Sequence, residues 1–376
     1  MIGPIAGPSA LSQCIEDLRL VDNHMHGYWT MPVDRRHFEN GLNEANTEPL
    51  ADFDSGFDTQ LGLAVRAHCS PLLGLPKHAD PQSYWDRRSE LTPSELASVM
   101  LTATGVSHWL MDTGLSGDIA SPAEAAAVSG KPAHEVVRIE QVAEHAVALP
   151  GDYAQNFEEL LASRVQGAVA TKSILAYRTG FDGDLSDPPA SEVSSAAARW
   201  RDAGGGRLDN RVLLRFGIHR ALEVGKPLQL HVGFGDRDCN LGRTNPLHLL
   251  GFLRASGETP IVLLHCYPFE REAGYLAQAF NNVFVDIGLT VNHLGSRAEA
   301  FLARTLEMAP FRKILYSSDG FGPPELHYLG SRLWRTGIRR VLSGFIARDE
   351  WSEADAMRIA ALVGRGNALR VYDLAD

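Results

Sequence analysis

Eight times along this chain a short apolar run stops at a polar or charged residue, then yields to a loop and a stretch of helical periodicity. The runs are LRLVDNH (18–24), VSHWLMDTG (106–114), EVVRIEQ (135–141), GAVATKSIL (167–175), PLQLHVG (227–233), PIVLLHC (260–266), VFVDIG (283–288) and KILYSSDG (313–320). Strands this apolar have no wet face, which is the mark of parallel strands covered on both sides by helices. The intervening stretches, such as NRVLLRFGIHRALEVG (210–225) and NPLHLLGFLRASG (245–257), supply those helices. Eight such units predict closure into an α/β fold of the (β/α)8 TIM-barrel type rather than an open sheet. With insertions counted, 376 residues fit one such domain.

Two segments exceed a minimal barrel. Residues 29–105 form a long, mainly helical insertion after the first strand, rich in Pro and Gly turns. An insertion on a loop that follows a strand overhangs the active-site face, so a cap that sets specificity is expected there. The closing stretch EADAMRIAALVGRGNALRVYDL reads as an amphipathic helix, a Gly-Asn turn and an apolar segment, expected to pack on the barrel exterior.

Catalytic groups of such a barrel project from the C-terminal ends of the strands. The first strand ends in His24-Met25-His26, the fifth in His231, the sixth in His265 and the eighth in Asp319. Residues i and i+2 of a strand face one way, so His24 and His26 should both face the mouth. Taken singly, a strand-end His is more often a hydrogen-bonded core residue, and an Asp before Gly more often a turn or cap. Together, three histidines and a carboxylate are a ligand set for zinc or another divalent metal.

The same residues, with KSILAYRTGF (172–181), PLQLHVGFGDRDCNL (227–241), LLHCYPFEREAGYLA (263–277) and KILYSSDGFGPPE (313–325), resemble the amidohydrolase superfamily in its amidohydrolase-2 branch. Within it they are most similar to the amidohydrolase-like half of fungal FluG and plant nodulin/glutamine-synthetase fusion proteins. The sequence contains no glutamine-synthetase half, so a function that requires the fusion is not expected. The resemblance implies His24, His26, His231 and Asp319 as metal ligands, with Asp319 also handling the proton. It implies His265 either as a ligand to a second metal or as a group facing substrate or water, so the count is one ion or two, zinc or manganese.

Lys172 carries three readings: a carbamate bridging two metals, a cationic anchor for a substrate carboxylate, or a lysine paired within the barrel wall. Arg178 is a candidate clamp for a carboxylate or else a structural ion pair. Glu140, read as the end of the third strand, could pair with Lys172 or Arg178. Gln229, two residues before His231, is a candidate donor around the site, and Tyr267 a weaker one. GFGDRD (233–238) lacks the spacing of a phosphate loop, so nucleotide binding is not expected.

The chemistry implied is hydrolysis of an amide or γ-glutamyl-type C–N bond in a small carboxylate-bearing substrate. The alternatives are a metal-dependent decarboxylase and a catalytically silent signalling barrel. Composition excludes other classes. A net charge of −11 without basic clusters argues against nucleic acid. The four cysteines form no CxxC pair, which disfavours a disulfide framework or a cysteine zinc site. No long apolar run or leader pattern is visible, so a cytoplasmic protein without membrane contact is expected, with homo-oligomerisation open.

Overall fold

The computed structural model describes residues 9–375; the first residues, on which the expectation of no leader partly rests, lie outside the described residues. Eight parallel strands pair in strict chain order. They are β1 (Leu20–Met25), β2 (Val106–Asp112), β3 (Ala133–Arg138), β4 (Ala168–Ser173), β5 (Leu228–Val232), β6 (Ile261–His265), β7 (Val283–Asp286) and β8 (Ile314–Leu315). Each falls within, or overlaps, one of the eight apolar runs, and all but the start of β3 are almost wholly buried.

The seam between β8 and β1 is closed by bonds outside the ladder. Asn23 N donates to Tyr316 O (3.1 Å), Asp319 N to His24 O (3.0 Å) and His26 N to Gly320 O (2.8 Å). Ser318 N donates to the Asp22 carboxylate at 2.9 Å. The result is a (β/α)8 barrel, as the alternation of runs predicted.

Inside it, two-residue periodicity divides the strands into levels. Val21, Leu110, Val136, Ala170, Val262, Leu264, Phe284 and Leu315 form an apolar cluster of their own. One step further along the same inward face stand polar residues: Asp112 after Leu110, Arg138 after Val136, Lys172 after Ala170 and Asp286 after Phe284.

The tail departs from expectation. The helix Glu353–Ala361 runs through a wide turn (362–366) into the helix Asn367–Val371, so no Gly-Asn break occurs. Ala368 and Tyr372 belong to the interior cluster, and Asn367 Nδ2 donates to the carbonyl oxygens of Phe311 and Ile314, each at 2.8 Å. The tail therefore stops the lower mouth of the barrel instead of lying on its outside. An amphipathic helix covers whichever apolar surface is open, and the floor of the barrel is such a surface.

The insertion divides by location. Residues from Trp29 to Pro49 line the cavity described below. Further along, the helix Pro81–Ser89 is tied to the long helix Pro324–Ala347 by a buried ion pair, Arg88 Nε to Glu325 Oε1 at 2.6 Å. Tyr84 Oη donates to the same oxygen at 2.9 Å, and the Arg88 guanidinium lies 4.2 Å from the Phe38 ring centroid. No helix among the described residues is long and apolar enough to cross a membrane.

Candidate functional site

At the upper mouth, β1 delivers His24 and His26 with ring centroids 5.2 Å apart. Asp319 lies beyond β8 with φ +48°, and His265 closes β6 with φ +67°. Non-glycine residues enter this left-handed region at a cost, and they gather where geometry serves a site. Their side chains converge. Asp319 Oδ1 lies 3.3 Å from His24 Nε2 and 3.5 Å from His26 Nε2, while Asp319 Oδ2 lies 3.5 Å from His265 Nε2.

These separations suit ligands of one ion. Atoms each about 2.1 Å from a metal stand about 3.0–3.4 Å apart in octahedral or tetrahedral array. Ligand atoms of His24, His265 and Asp319 lie within 4.8 Å of one another, as do those of His24, His26 and Asp112.

Electrostatics favour the same use. Burial, then the positive charge of Lys172, holds His24 well below the ordinary imidazole range, and burial above all brings His26 down to about 3. Burial likewise lowers His231 and His265. All four rings are thus neutral near pH 7, each with a lone pair that can serve a metal or a donor. Asp319 is pushed well above its usual range by burial, against the pull of Lys172. A carboxylate in that position calls for a cation beside it. His231 Nε2, His265 Nδ1 and Asp319 Oδ1 are buried without a hydrogen-bond partner, an arrangement native proteins rarely keep without a reason. The residues present therefore fit a divalent metal.

His231 sits beside this cluster, its ring centroid 4.7 Å from that of His265 and 4.2 Å from that of Tyr177. His265, not His231, shares a ligand group with His24 and Asp319. The glycines of GFGDRD serve packing. A Cβ on Gly235 would fall 2.3 Å from Tyr177 Oη and 2.8 Å from His231 Nε2, so only glycine lets that loop close over the ring.

Lys172 Nζ lies 3.0 Å from His24 Nε2 and 3.6 Å from Asp112 Oδ2. Asp112 is also held by Arg138, at 2.7 Å from Nη2 and 3.1 Å from Nε. Burial alone would raise Asp112, but Arg138, Lys172 and His26 outweigh it and hold the carboxyl below its ordinary range. Burial lowers Lys172, with Asp112 opposing. Lys172 thus pairs with Asp112 in the barrel wall while its Nζ also reaches His24 in the ligand cluster.

A cavity of about 1060 Å³ opens above this cluster, with His26, Lys172, His231, His265 and Asp319 in its lining. Arg178 lines it too. Its Nη2 is 3.9 Å from Glu144, and its Nε and Nη1 are buried without hydrogen-bond partners. Glu44, from the inserted segment, faces the same space; burial and then Asp236 raise its carboxyl to about 7.

Three residues expected around the substrate lie elsewhere. Glu140 is in the first turn of the helix Ile139–Ala148, not at a strand end, and accepts from Ser173 Oγ (2.6 Å) and Ile174 N (3.0 Å). It makes no ion pair with Lys172 or Arg178 among the described residues. The true end of β3 is Arg138, two residues earlier, paired in register with Lys172. Gln229 is fully buried behind the cavity, where its Oε1 meets His24 Nδ1 at 2.7 Å. Tyr267 is outside the cavity lining, with its ring among Phe234 and Phe301. Asp112 and Arg138 went unread, although the alternation of VSHWLMD and EVVR marks both as inward-facing strand ends.

A family model described as Amidohydrolase matches residues 185–374. Protein FluG of Emericella nidulans is 32% identical over 241 residues, or 60% of this chain and 28% of FluG, so the chain spans less than a third of that relative. A structure from Lactobacillus casei ATCC 334, classed as a metal-dependent hydrolase, superposes with a TM-score of 0.81 at 26% identity over 98% of both chains. A uronate isomerase from Bacillus halodurans C-125 superposes with a TM-score of 0.67 at 15% identity, over 97% of this chain and 96% of that one, and shares the fold alone.

Proposed function

This chain belongs to the amidohydrolase family, and we propose that it is a metal-dependent hydrolase that cleaves an amide or γ-glutamyl-type C–N bond in a small carboxylate-bearing substrate. The observation that carries the reading is the meeting of three imidazole nitrogens with both oxygens of Asp319 at 3.3–3.5 Å, under a cavity that Arg178 also lines.

His24, His26 and Asp319 would hold a divalent metal, with His231 completing the set; zinc suits imidazole and carboxylate, and manganese is the alternative. Bound there, the metal would supply an acidified water, with a pKa near about 7, and polarise the carbonyl. Asp319 takes the proton from the attacking water and returns it to the leaving nitrogen. His265, neutral, presents a ring N–H to the developing oxyanion. Arg178, with two buried N–H groups unpartnered, receives the substrate carboxylate. Lys172 keeps Asp112 charged and adds positive potential beside the carbonyl. The segment 29–49 forms the outer wall of the cavity and supplies the groups that choose among substrates.

The test is metal per chain, by elemental analysis of protein purified without chelators, followed by a panel of N-acyl and γ-glutamyl amides. Near one metal with amine release is the expected result. Near two would make His265 a ligand and favour the carbamate reading of Lys172. Carbon dioxide released from aromatic acids, in place of amine, would replace hydrolysis with decarboxylation. No metal, even after incubation with zinc or manganese, would overturn the proposal.

A further inference from the structure

We infer that Tyr372, in the tail, is a positioning residue that acts through Gln229 to lock His24 in the tautomer whose unprotonated Nε2 faces the metal-binding cluster. The inference rests on the reading of His24 as a ligand. Its basis is a hydrogen-bond chain in which every donor is assigned by what it can meet.

The chain begins at Asn23. Its Nδ2 lies 2.8 Å from Tyr316 O and 2.8 Å from Asp286 Oδ2. A backbone carbonyl can only accept, so the amide nitrogen must face that side and Oδ1 the other. Tyr372 Oη, 2.8 Å from Asn23 Oδ1, therefore gives its single proton there. Its lone pair is left for Gln229 Nε2 at 2.8 Å. The second proton of Nε2 goes to Asn23 O, also at 2.8 Å. With both protons of Nε2 committed, Oε1 faces His24 Nδ1 at 2.7 Å, and that nitrogen must carry the proton.

The other face of the ring agrees. Lys172 Nζ lies 3.0 Å from His24 Nε2, and as an ammonium it donates there to an unprotonated Nε2. Asn23, His24, Gln229 and Asp286 are wholly buried and Tyr372 nearly so, so no solvent is at hand to replace a missing partner. Tyr372 lies 349 residues from Asn23 and 143 from Gln229 in sequence. The tail thus serves the site from beneath, without touching it.

The deciding experiment follows ring tautomers in the metal-free protein by long-range proton–nitrogen correlation on 15N-histidine-labelled chain, and zinc affinity by chelator competition. Wild type should show His24 as a single Nδ1-protonated form. Tyr372→Phe removes one of the two acceptors that orient the Gln229 amide and leaves Asn23 O as the other. It should give a mixed tautomer population and about 10-fold weaker zinc binding, with Gln229→Leu weaker still, towards about 100-fold. Val262→Ala, in the same apolar layer, should lower the melting temperature while leaving tautomer and zinc affinity alone. The inference falls if Tyr372→Phe keeps both tautomer and affinity, or if Val262→Ala disturbs them equally. A wild type that takes up no zinc would refute the ligand reading instead, and the tautomer measurement would still decide the relay.

Discussion

At the lower mouth of the barrel, Val21, Leu110, Val136, Ala170, Val262, Phe284 and Leu315 pack against Ala368, and the one hydroxyl among them, that of Tyr372, is fully bonded. At the upper mouth the same strands end in four imidazoles, carboxylates, a lysine and an arginine. Several of their buried atoms have no partner. Four of the seven non-glycine residues with left-handed φ among the described residues, His265, Cys266, Leu289 and Asp319, lie at or just beyond these strand ends. One end is a mainly apolar interior with few polar groups; the other breaks several rules of a stable interior at once. Such violations cluster where a fold gives up stability for chemistry. The two ends should therefore respond to mutation in opposite ways.

The largest expected effect tests the upper end. Asp319→Asn removes the proton acceptor but keeps the shape, so amine release should fall about 10³–10⁴-fold. The melting temperature of the metal-free protein should hold or rise, because a strained, buried carboxyl is gone. A marked loss of melting temperature would mean that Asp319 belongs to the scaffold after all.

Leu110→Ala tests the lower end. A buried leucine truncated to alanine costs about 2–5 kcal/mol, to be read by denaturant unfolding, while metal content per folded chain stays the same. A loss of metal without a loss of stability would erase the distinction between the two mouths.

The smallest effect sharpens the boundary between them. Burial raises the Glu140 carboxyl to about 7, and hydrogen bonds from Ser173 and Ile174 do not cancel this. The folded state thus favours the protonated acid. The stability this provides is present below about pH 4.5, the ordinary value, and is lost as pH rises through about 7. Relative to Glu140→Gln, wild type should lose on the order of 3 kcal/mol across that window. A flat difference would show that Glu140 titrates normally.

Much of the upper mouth could be read directly from the sequence. His24, His26, His231, His265 and Asp319 each stand at or just beyond an apolar run that forms a buried strand; singly each has a bland use, and only their number points to one shared mouth. What stayed hidden was decided by partners distant in sequence. In EVVRIEQ no glycine or proline marks where strand yields to helix, so Glu140 looked like the end; pairing of Arg138 with Lys172 sets the boundary. The tail shows an apolar face but not which surface receives it. Gln229 was visible as a neighbour of His231, yet its link to His24 needed the strands of a closed barrel.

The β8–β1 seam carries a further consequence. Only two residues of β8 enter the ladder, and β1 is joined to the segment 316–320 by a few bonds from Asn23, His26, Ser318 and Asp319. The ligand candidates His24 and His26 stand on one side of that joint and Asp319 on the other. An ion held by both sides would act as a rivet across that joint. Amide protons of His26 and Asp319 should then exchange with deuterated solvent fastest in metal-free protein, and become among the slowest at the mouth once zinc is added.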